Sequence, residues 1–167
     1  LSNGEGLNKV VSIISDKVNQ GENIAVVVSA RGDATDELEY ILKIAAKNGN
    51  YKILLENFKT YQISDYPQVD FSEEFNILDK LFEGVSLIGD YSNKIKDQIL
   101  AKGELLSAKL LTGILLKNGI NAQFADARNL IKTDSKFGDA QPLEQKKKKN
   151  VVQFFKENSE KINIVTG

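Results

Sequence analysis

Between Gly21 and Gly32 the chain reads Ile24-Ala25-Val26-Val27-Val28, a short apolar run that is rich in β-branched residues. Such a run is typical of a strand that is buried on both faces of a parallel sheet. A polar turn follows it, and apolar residues then recur at helical spacing from Leu38 to Ala46. Strand, turn and helix make half of a βαβ unit, so we expect this strand at the centre of a parallel sheet.

The rest of the chain alternates between helical and strand patterns. Apolar residues recur at helical spacing in Leu7–Val18, Tyr51–Tyr61, Phe71–Ile88, Ser92–Ala101, Gly103–Lys117 and Leu143–Asn158. Two further short segments are predicted to be strands, Ala122–Ala127 and Ile162–Val165. Alternating helices and short buried strands predict an α/β fold with a largely parallel sheet. No linker or repeat divides residues 1–167, so we expect a single domain.

Composition excludes several classes of function. The 167 residues include no Cys and no His, which excludes the usual zinc sites, a thiol nucleophile and an imidazole base. The 22 basic and 23 acidic side chains leave a net charge of −1, which argues against a nucleic-acid-binding protein. No apolar run approaches the roughly 20 residues that cross a bilayer. We therefore expect a cytoplasmic protein that binds neither nucleic acid nor membrane.

The turn after the first predicted strand is the first candidate binding site, because ligands of open α/β sheets lie beyond the carboxyl ends of strands. Ser29 and Thr35 offer hydroxyl donors there, and the start of the next helix favours an anion. The alternative is structural: Asp33 or Thr35 caps the helix. The turn has neither a Walker A nor a dinucleotide-binding pattern.

Charged residues mark two more predicted element ends. Glu104 lies in the first turn of the predicted helix Gly103–Lys117, where it either binds a ligand or complements the helix dipole. Asp126 and Arg128 lie at the end of a predicted strand, and the arginine either holds an anionic ligand or pairs with Asp126. We favour the pairing. The run of four lysines at 146–149 is interpreted as a solvated helix face.

Three ordered blocks of the sequence resemble the aspartokinases of the amino-acid kinase fold. They are Val26-Val27-Val28-Ser29-Ala30 with Thr35 and Asp36, Gly103-Glu104-Leu105-Leu106-Ser107-Ala108-Lys109-Leu110, and Asp126-Ala127-Arg128 with Ile131-Lys132-Thr133-Asp134. Together these blocks span nearly the whole chain. The third is most similar to the kinase portion of bifunctional aspartokinase–homoserine dehydrogenases.

This resemblance implies a three-layer α/β/α fold with a mostly parallel sheet of the carbamate kinase-like type. It also implies a homo-oligomer that transfers the ATP γ-phosphoryl group, with Mg, to the side-chain carboxylate of L-aspartate, the first step towards lysine, methionine and threonine. In the family, a threonine of the first turn and the glutamate of the Gly-Glu motif contact aspartate, and they correspond to Thr35 and Glu104. Ser29, at the same strand end, is a further candidate for substrate binding. Arg31 and Asp33 differ from the small or apolar residues that are common in that turn.

The same resemblance predicts that the chain is part of a larger catalytic domain. The family's lysine motif would precede Leu1, and its glycine-rich nucleotide segment would follow Gly167, so we expect an incomplete sheet. We then expect residues 1–167 alone to bind neither ATP nor a metal, and another chain or a rearranged segment to cover the outer edge of strand Ile24–Val28. Two alternatives stay open: another amino-acid kinase with a different acceptor, and a non-catalytic α/β binding module.

Overall fold

A computed structural model of the protein describes residues 4–64, 66–131, 133 and 144–167. The helices are α1 (Gly4–Asn19), α2 (Ala34–Ala46), α3 (Tyr51–Ile63), α4 (Ser72–Ile88), α5 (Asn93–Lys117), α6 (Ala127–Leu130) and α7 (Glu144–Glu157). The strands are β1 (Ala25–Val28), β2 (Ala122–Ala125) and β3 (Ile162–Thr166). Most predicted elements are therefore present, whereas α6 was not predicted. Within the described residues, no helix combines the length and the apolar character needed to cross a membrane.

The three strands form one parallel sheet in the order β1-β3-β2. Val28 of β1 lies opposite Thr166 of β3, and Ala125 of β2 lies opposite Val165. The three strands therefore end at the same side of the sheet. We call this side, marked by Val28, Thr166 and Ala125, the carboxyl edge.

Helices cover both faces of the sheet. α5 packs on all three strands and also contacts α1, α2 and α4, so it is the central helix of one layer. On the opposite face, Ala125, Leu130 and Val165 form a second apolar cluster with Phe154 and Phe155 of α7. The predicted α/β/α arrangement around a parallel sheet is confirmed.

The prediction that the segment Ile24–Val28 lies at the centre of the sheet is wrong. Among the described residues, β1 is an edge strand, and the central strand is β3, whose five residues are all buried. Burial alternates along the second half of β1, where Val28 is buried but Val27 is 69% exposed. The apolar cluster built on α7 includes residues of β2 and β3 but none of β1, so only one face of β1 is well covered.

Within the described part of the chain, no further strand pairs with the outer edge of β1. Val26, Val27 and Ser29 instead line a groove of about 270 Å³ that also borders Val10 of α1. Coverage of this edge by another chain stays a prediction.

The two helices predicted at Ser92–Ala101 and Gly103–Lys117 form one helix, α5, of 25 residues. It begins after Ser92, whose hydroxyl oxygen accepts a hydrogen bond from the N–H of Ile95 at 3.3 Å. Glycine in a helix interior is less favourable than alanine by about 1 kcal/mol. Gly103 is nevertheless buried against other elements, so tertiary packing outweighs its local preference.

Candidate functional site

The carboxyl edge brings together the β1–α2 turn (residues 29–33), the end of β3 and the middle of α5. The N–H of Gly167 donates to the carbonyl oxygen of Val28 at 2.9 Å, which joins the ends of β3 and β1. A Cβ atom at Gly167 would lie 3.3 Å from Oε1 of Glu104. The carboxylate of Glu104, which projects from α5, therefore reaches the ends of these two strands.

Gly103 permits close contact between α5 and the start of α2. A Cβ atom at this position would lie 3.0 Å from Cβ of Ala30, 3.6 Å from Cβ of Ala34 and 3.7 Å from Oγ1 of Thr35. Carbon atoms in ordinary contact lie about 3.5–4.0 Å apart, so a side chain at this position would push the turn away from α5. The absence of a side chain thus lets Thr35 lie beside the residue that precedes Glu104.

The carboxylate of Glu104 is partly buried, and within the described residues it has neither a hydrogen-bond donor nor a cation as a partner. Burial raises its pKa, and no neighbouring charge acts in the opposite direction. Removing a carboxylate from water without a partner is unfavourable, and a charge-assisted hydrogen bond offsets that penalty. Glu104 is therefore suited to bind a cationic group of a ligand.

The helix-dipole explanation of Glu104 is wrong. It assumed a helix that begins at Gly103, whereas α5 begins at Asn93, about three turns earlier. The dipole acts on charges within the first turn of a helix. The position of Glu104 in the middle of α5 removes the structural alternative that the sequence left open.

The capping explanation of the β1–α2 turn is also wrong. Asp33 is the N-cap residue of α2, but its side chain accepts no hydrogen bond from the helix, and Thr35 already lies within the first turn. The side chains of Ser29 and Thr35 are exposed to solvent. Thr35 lies close to Gly103, whereas Ser29 borders the groove between β1 and α1. Thr35 thus lies near the residue that precedes Glu104, and Ser29 lies at the end of β1.

The predicted pairing of Asp126 with Arg128 is confirmed. Nη2 and Nε of Arg128 donate to Oδ2 and Oδ1 of Asp126 at 2.6 and 2.9 Å, and Oδ1 also accepts from the N–H of Arg128 at 3.0 Å. Burial acts to raise the pKa of Asp126, but the hydrogen bonds from Arg128 outweigh it, so the pKa lies below its ordinary value. This carboxylate is already neutralised by its own chain and fixes the start of α6.

Two buried polar residues on either side of Glu104 were not identified from the sequence. Burial lowers the pKa of Lys102, although the carboxylate of Glu74 opposes this effect. The hydroxyl of Ser107 is buried and, among the described residues, has no hydrogen-bond partner. Both flank the Gly-Glu motif, but only the packing of α5 shows that they are buried.

Two predictions fall partly outside the described residues. The third block of the resemblance includes residues 132 and 134, which the structure does not describe. In the lysine run at 146–149, only the side chain of Lys149 is described, and it is exposed.

The described residues do not fit a complete site for Mg or for nucleotide phosphates. In the described ranges, no group of three or more acidic side chains lies close enough to hold a metal ion. The β1–α2 turn contains a single glycine, Gly32, and lacks the glycine-rich pattern whose N–H groups cradle phosphates.

The sequence model of the amino acid kinase family matches residues 1–167. The bifunctional aspartokinase/homoserine dehydrogenase of Buchnera aphidicola subsp. Acyrthosiphon pisum (strain APS) is 27% identical to this chain over 183 aligned residues, which cover 100% of this chain and 22% of that protein. The chain thus spans about a fifth of the length of the curated relatives it matches.

Two crystal structures of Escherichia coli aspartokinase III have a similar fold. The complex with lysine and aspartate (T-state) has a TM-score of 0.78 and 22% sequence identity, and the match covers 99% of this chain and 38% of that chain. The complex with aspartate and ADP (R-state) has a TM-score of 0.79 and 21% identity over the same shares. At this level of identity the likeness concerns the fold, and it confirms the fold type that the resemblance implied.

Proposed function

The chain belongs to the amino acid kinase family, and on this premise we propose that its gene product is an aspartate kinase, with part of the aspartate site in these residues. In the proposed reaction a side-chain carboxylate oxygen of L-aspartate forms a bond to the γ-phosphorus of ATP. The bond between that phosphorus and the β–γ bridging oxygen breaks, which yields aspartyl phosphate and ADP. ATP, bound with Mg, supplies the phosphoryl group. We further propose a homo-oligomer, as the resemblance implies, and a cytoplasmic location, as the sequence predicts.

The observation that carries this proposal is the partly buried carboxylate of Glu104, which lacks a partner among the described residues and reaches the carboxyl edge at Gly167. The residue before it, Gly103, lies close to Thr35. In the proposed site, Glu104 accepts hydrogen bonds from the α-ammonium group of aspartate. The hydroxyl groups of Thr35 and Ser29 donate to a carboxylate of the same substrate. The aspartate bound in both aspartokinase III structures supports L-aspartate as the ligand.

An acceptor panel tests this proposal in the intact gene product. With Mg-ATP, we expect ADP release with L-aspartate and much less with succinate, which has both carboxylates but no ammonium group. Glu104→Gln is expected to remove most of this preference, because the amide cannot form an ion pair. A preference for a different amino acid would identify another acceptor, and no turnover with any acceptor would favour a non-catalytic module.

A second measurement concerns the nucleotide. We propose that residues 1–167 alone bind Mg-ATP too weakly to detect, because they carry no phosphate-cradling loop. Calorimetric titration of residues 1–167 with Mg-ATP tests this expectation. Micromolar binding would show that a nucleotide site lies within these residues.

A further inference from the structure

Arg31, one of only two arginines in the chain, is buried at the centre of the β1–α2 turn with 1% of its surface exposed. Nη1 of its guanidinium donates to the main-chain oxygens of Tyr61 and Gln62 at 3.1 and 3.3 Å. These carbonyl groups belong to the last turn of α3, where the helix dipole favours a cation. The carbonyl oxygen of Tyr61 also accepts hydrogen bonds from the N–H and the hydroxyl of Ser64, at 3.3 and 2.9 Å. Arg31 therefore attaches the turn to the C-terminus of a helix 30 residues further along the chain.

The ring of Tyr61 strengthens this attachment. The guanidinium carbon of Arg31 lies 4.6 Å from the ring centroid, within the range of a cation–π interaction. The next residue, Gly32, has a φ of +55°, and a Cβ atom there would lie 3.2 Å from Oη of Tyr61. Two successive residues of the turn thus pack against one tyrosine.

The turn is consequently held from two sides. Arg31 and Gly32 fix it to α3, and Ala30, Ala34 and Thr35 pack against α5 at Gly103. We propose that Arg31 is a positioning residue that holds the β1–α2 turn against α3, and so fixes Ser29 and Thr35 relative to Glu104. This inference rests on the proposed function of these three residues in aspartate binding.

The test uses Arg31→Met and Arg31→Lys in the intact gene product. Methionine fills much of the same volume but donates no hydrogen bond, whereas lysine retains the charge without the planar guanidinium. We expect Arg31→Met to raise the KM for aspartate about tenfold, as expected for the loss of charged hydrogen bonds. The KM for ATP should stay unchanged in Arg31→Met. Its kcat should change less than about twofold, because Arg31 does not touch the reacting atoms. Arg31→Lys should restore part of the lost affinity for aspartate.

Hydrogen exchange separates positioning from general stability. In Arg31→Met, the amides of residues 29–35 should exchange about tenfold faster or more, while those of β3 keep their protection. Lys59→Met is the matched control. Lys59 is a buried cation on α3, the helix to which Arg31 is attached, but its partners, Glu56 and Asp79, lie outside the β1–α2 turn. This variant is expected to destabilise the protein without raising the KM for aspartate.

The outcomes are distinguishable from a failure of the proposed function. An aspartate KM that rises in Glu104→Gln but not in Arg31→Met would overturn the inference and leave the proposed site intact. An unchanged KM in both variants would overturn the proposed site, and the exchange measurement would still decide whether Arg31 holds the turn. Equal acceleration of exchange in the turn and in β3 would overturn the positioning role.

Discussion

Glu104 and Asp126 are two acidic residues near the carboxyl edge, and they differ in their partners. Asp126 forms a two-point ion pair with Arg128, which lies two residues away. Glu104 has neither a hydrogen-bond donor nor a cation as a partner among the described residues. The pKa of Glu104 is raised by burial, whereas that of Asp126 is lowered because the bonds to Arg128 outweigh burial.

The contrast shows how a structural acid differs from the acid that we propose binds a ligand. A carboxylate that is neutralised by its own chain gains little from a ligand cation, since its hydrogen-bonding capacity is already used. A partly buried carboxylate without a partner is stabilised most by a ligand cation, because ligand binding offsets the penalty of desolvation. Each prediction below compares the two regions directly.

The largest expected effect is on aspartate binding. Glu104→Gln should raise the KM for aspartate roughly 10- to 100-fold, since a hydrogen bond to a charged group contributes about 1.5–3 kcal/mol. The KM for ATP should stay nearly constant. Asp126→Asn, the matched carboxylate-to-amide change, should leave both constants nearly unchanged. Steady-state kinetics of the intact gene product measure all four values, and an equal rise in the two variants would contradict the proposed distinction.

The close approach at Gly103 gives the next effect. Gly103→Ala should lower the free energy of unfolding by about 1–3 kcal/mol, because its Cβ would lie 3.0 Å from Cβ of Ala30 and the turn would have to move. Gly84→Ala is the control, since Gly84 also lies within a helix but a Cβ there meets no atom within 4 Å. It should raise stability by about 0.5–1 kcal/mol.

Denaturant unfolding measures both glycine variants. Ala30→Gly should restore stability to Gly103→Ala, because it removes the nearest clashing atom. A similar gain in stability in Gly103→Ala and Gly84→Ala would show that helix propensity, and not the contact with the turn, governs the Gly103 position.

The smallest expected effect is on the pH dependence of stability, and its sign differs between the two acids. Glu104 has a raised pKa in the folded state, so its contribution to stability is lost as pH rises through that pKa. Asp126 has a lowered pKa, so its contribution is present above the unfolded-state pKa and is lost as pH falls through the folded pKa. The half-exposed position of Arg128 limits the second effect.

Unfolding free energies measured against pH for wild type, Glu104→Gln and Asp126→Asn test these signs. Subtracting each variant from wild type isolates the contribution of one carboxyl group. We expect two opposite slopes, and slopes of the same sign would mean that both acids are paired or that neither is.

Features that depend on neighbours along the chain could be predicted from the sequence. Apolar periodicity identified most helices and all three strands, and hence the α/β class, because side-chain direction repeats with the backbone. The pairing of Asp126 with Arg128 was also predictable, since the two residues are only two positions apart. The resemblance then pointed to Thr35 and Glu104, and in the structure Thr35 lies close to Gly103, the residue before Glu104.

Features that depend on residues far apart in the chain were decided by the tertiary structure alone. The apolar run of β1 does not indicate whether one or both of its faces are covered, and the order β1-β3-β2 leaves it at an edge. The low helix propensity of Gly103, about 1 kcal/mol below that of alanine, is outweighed by the packing of α5 against the turn. The same packing leaves Glu104 away from a helix end, and Arg31 finds its partners 30 residues away. Strand order and burial follow from the total area and contacts between distant segments, and no local window of the sequence contains that information.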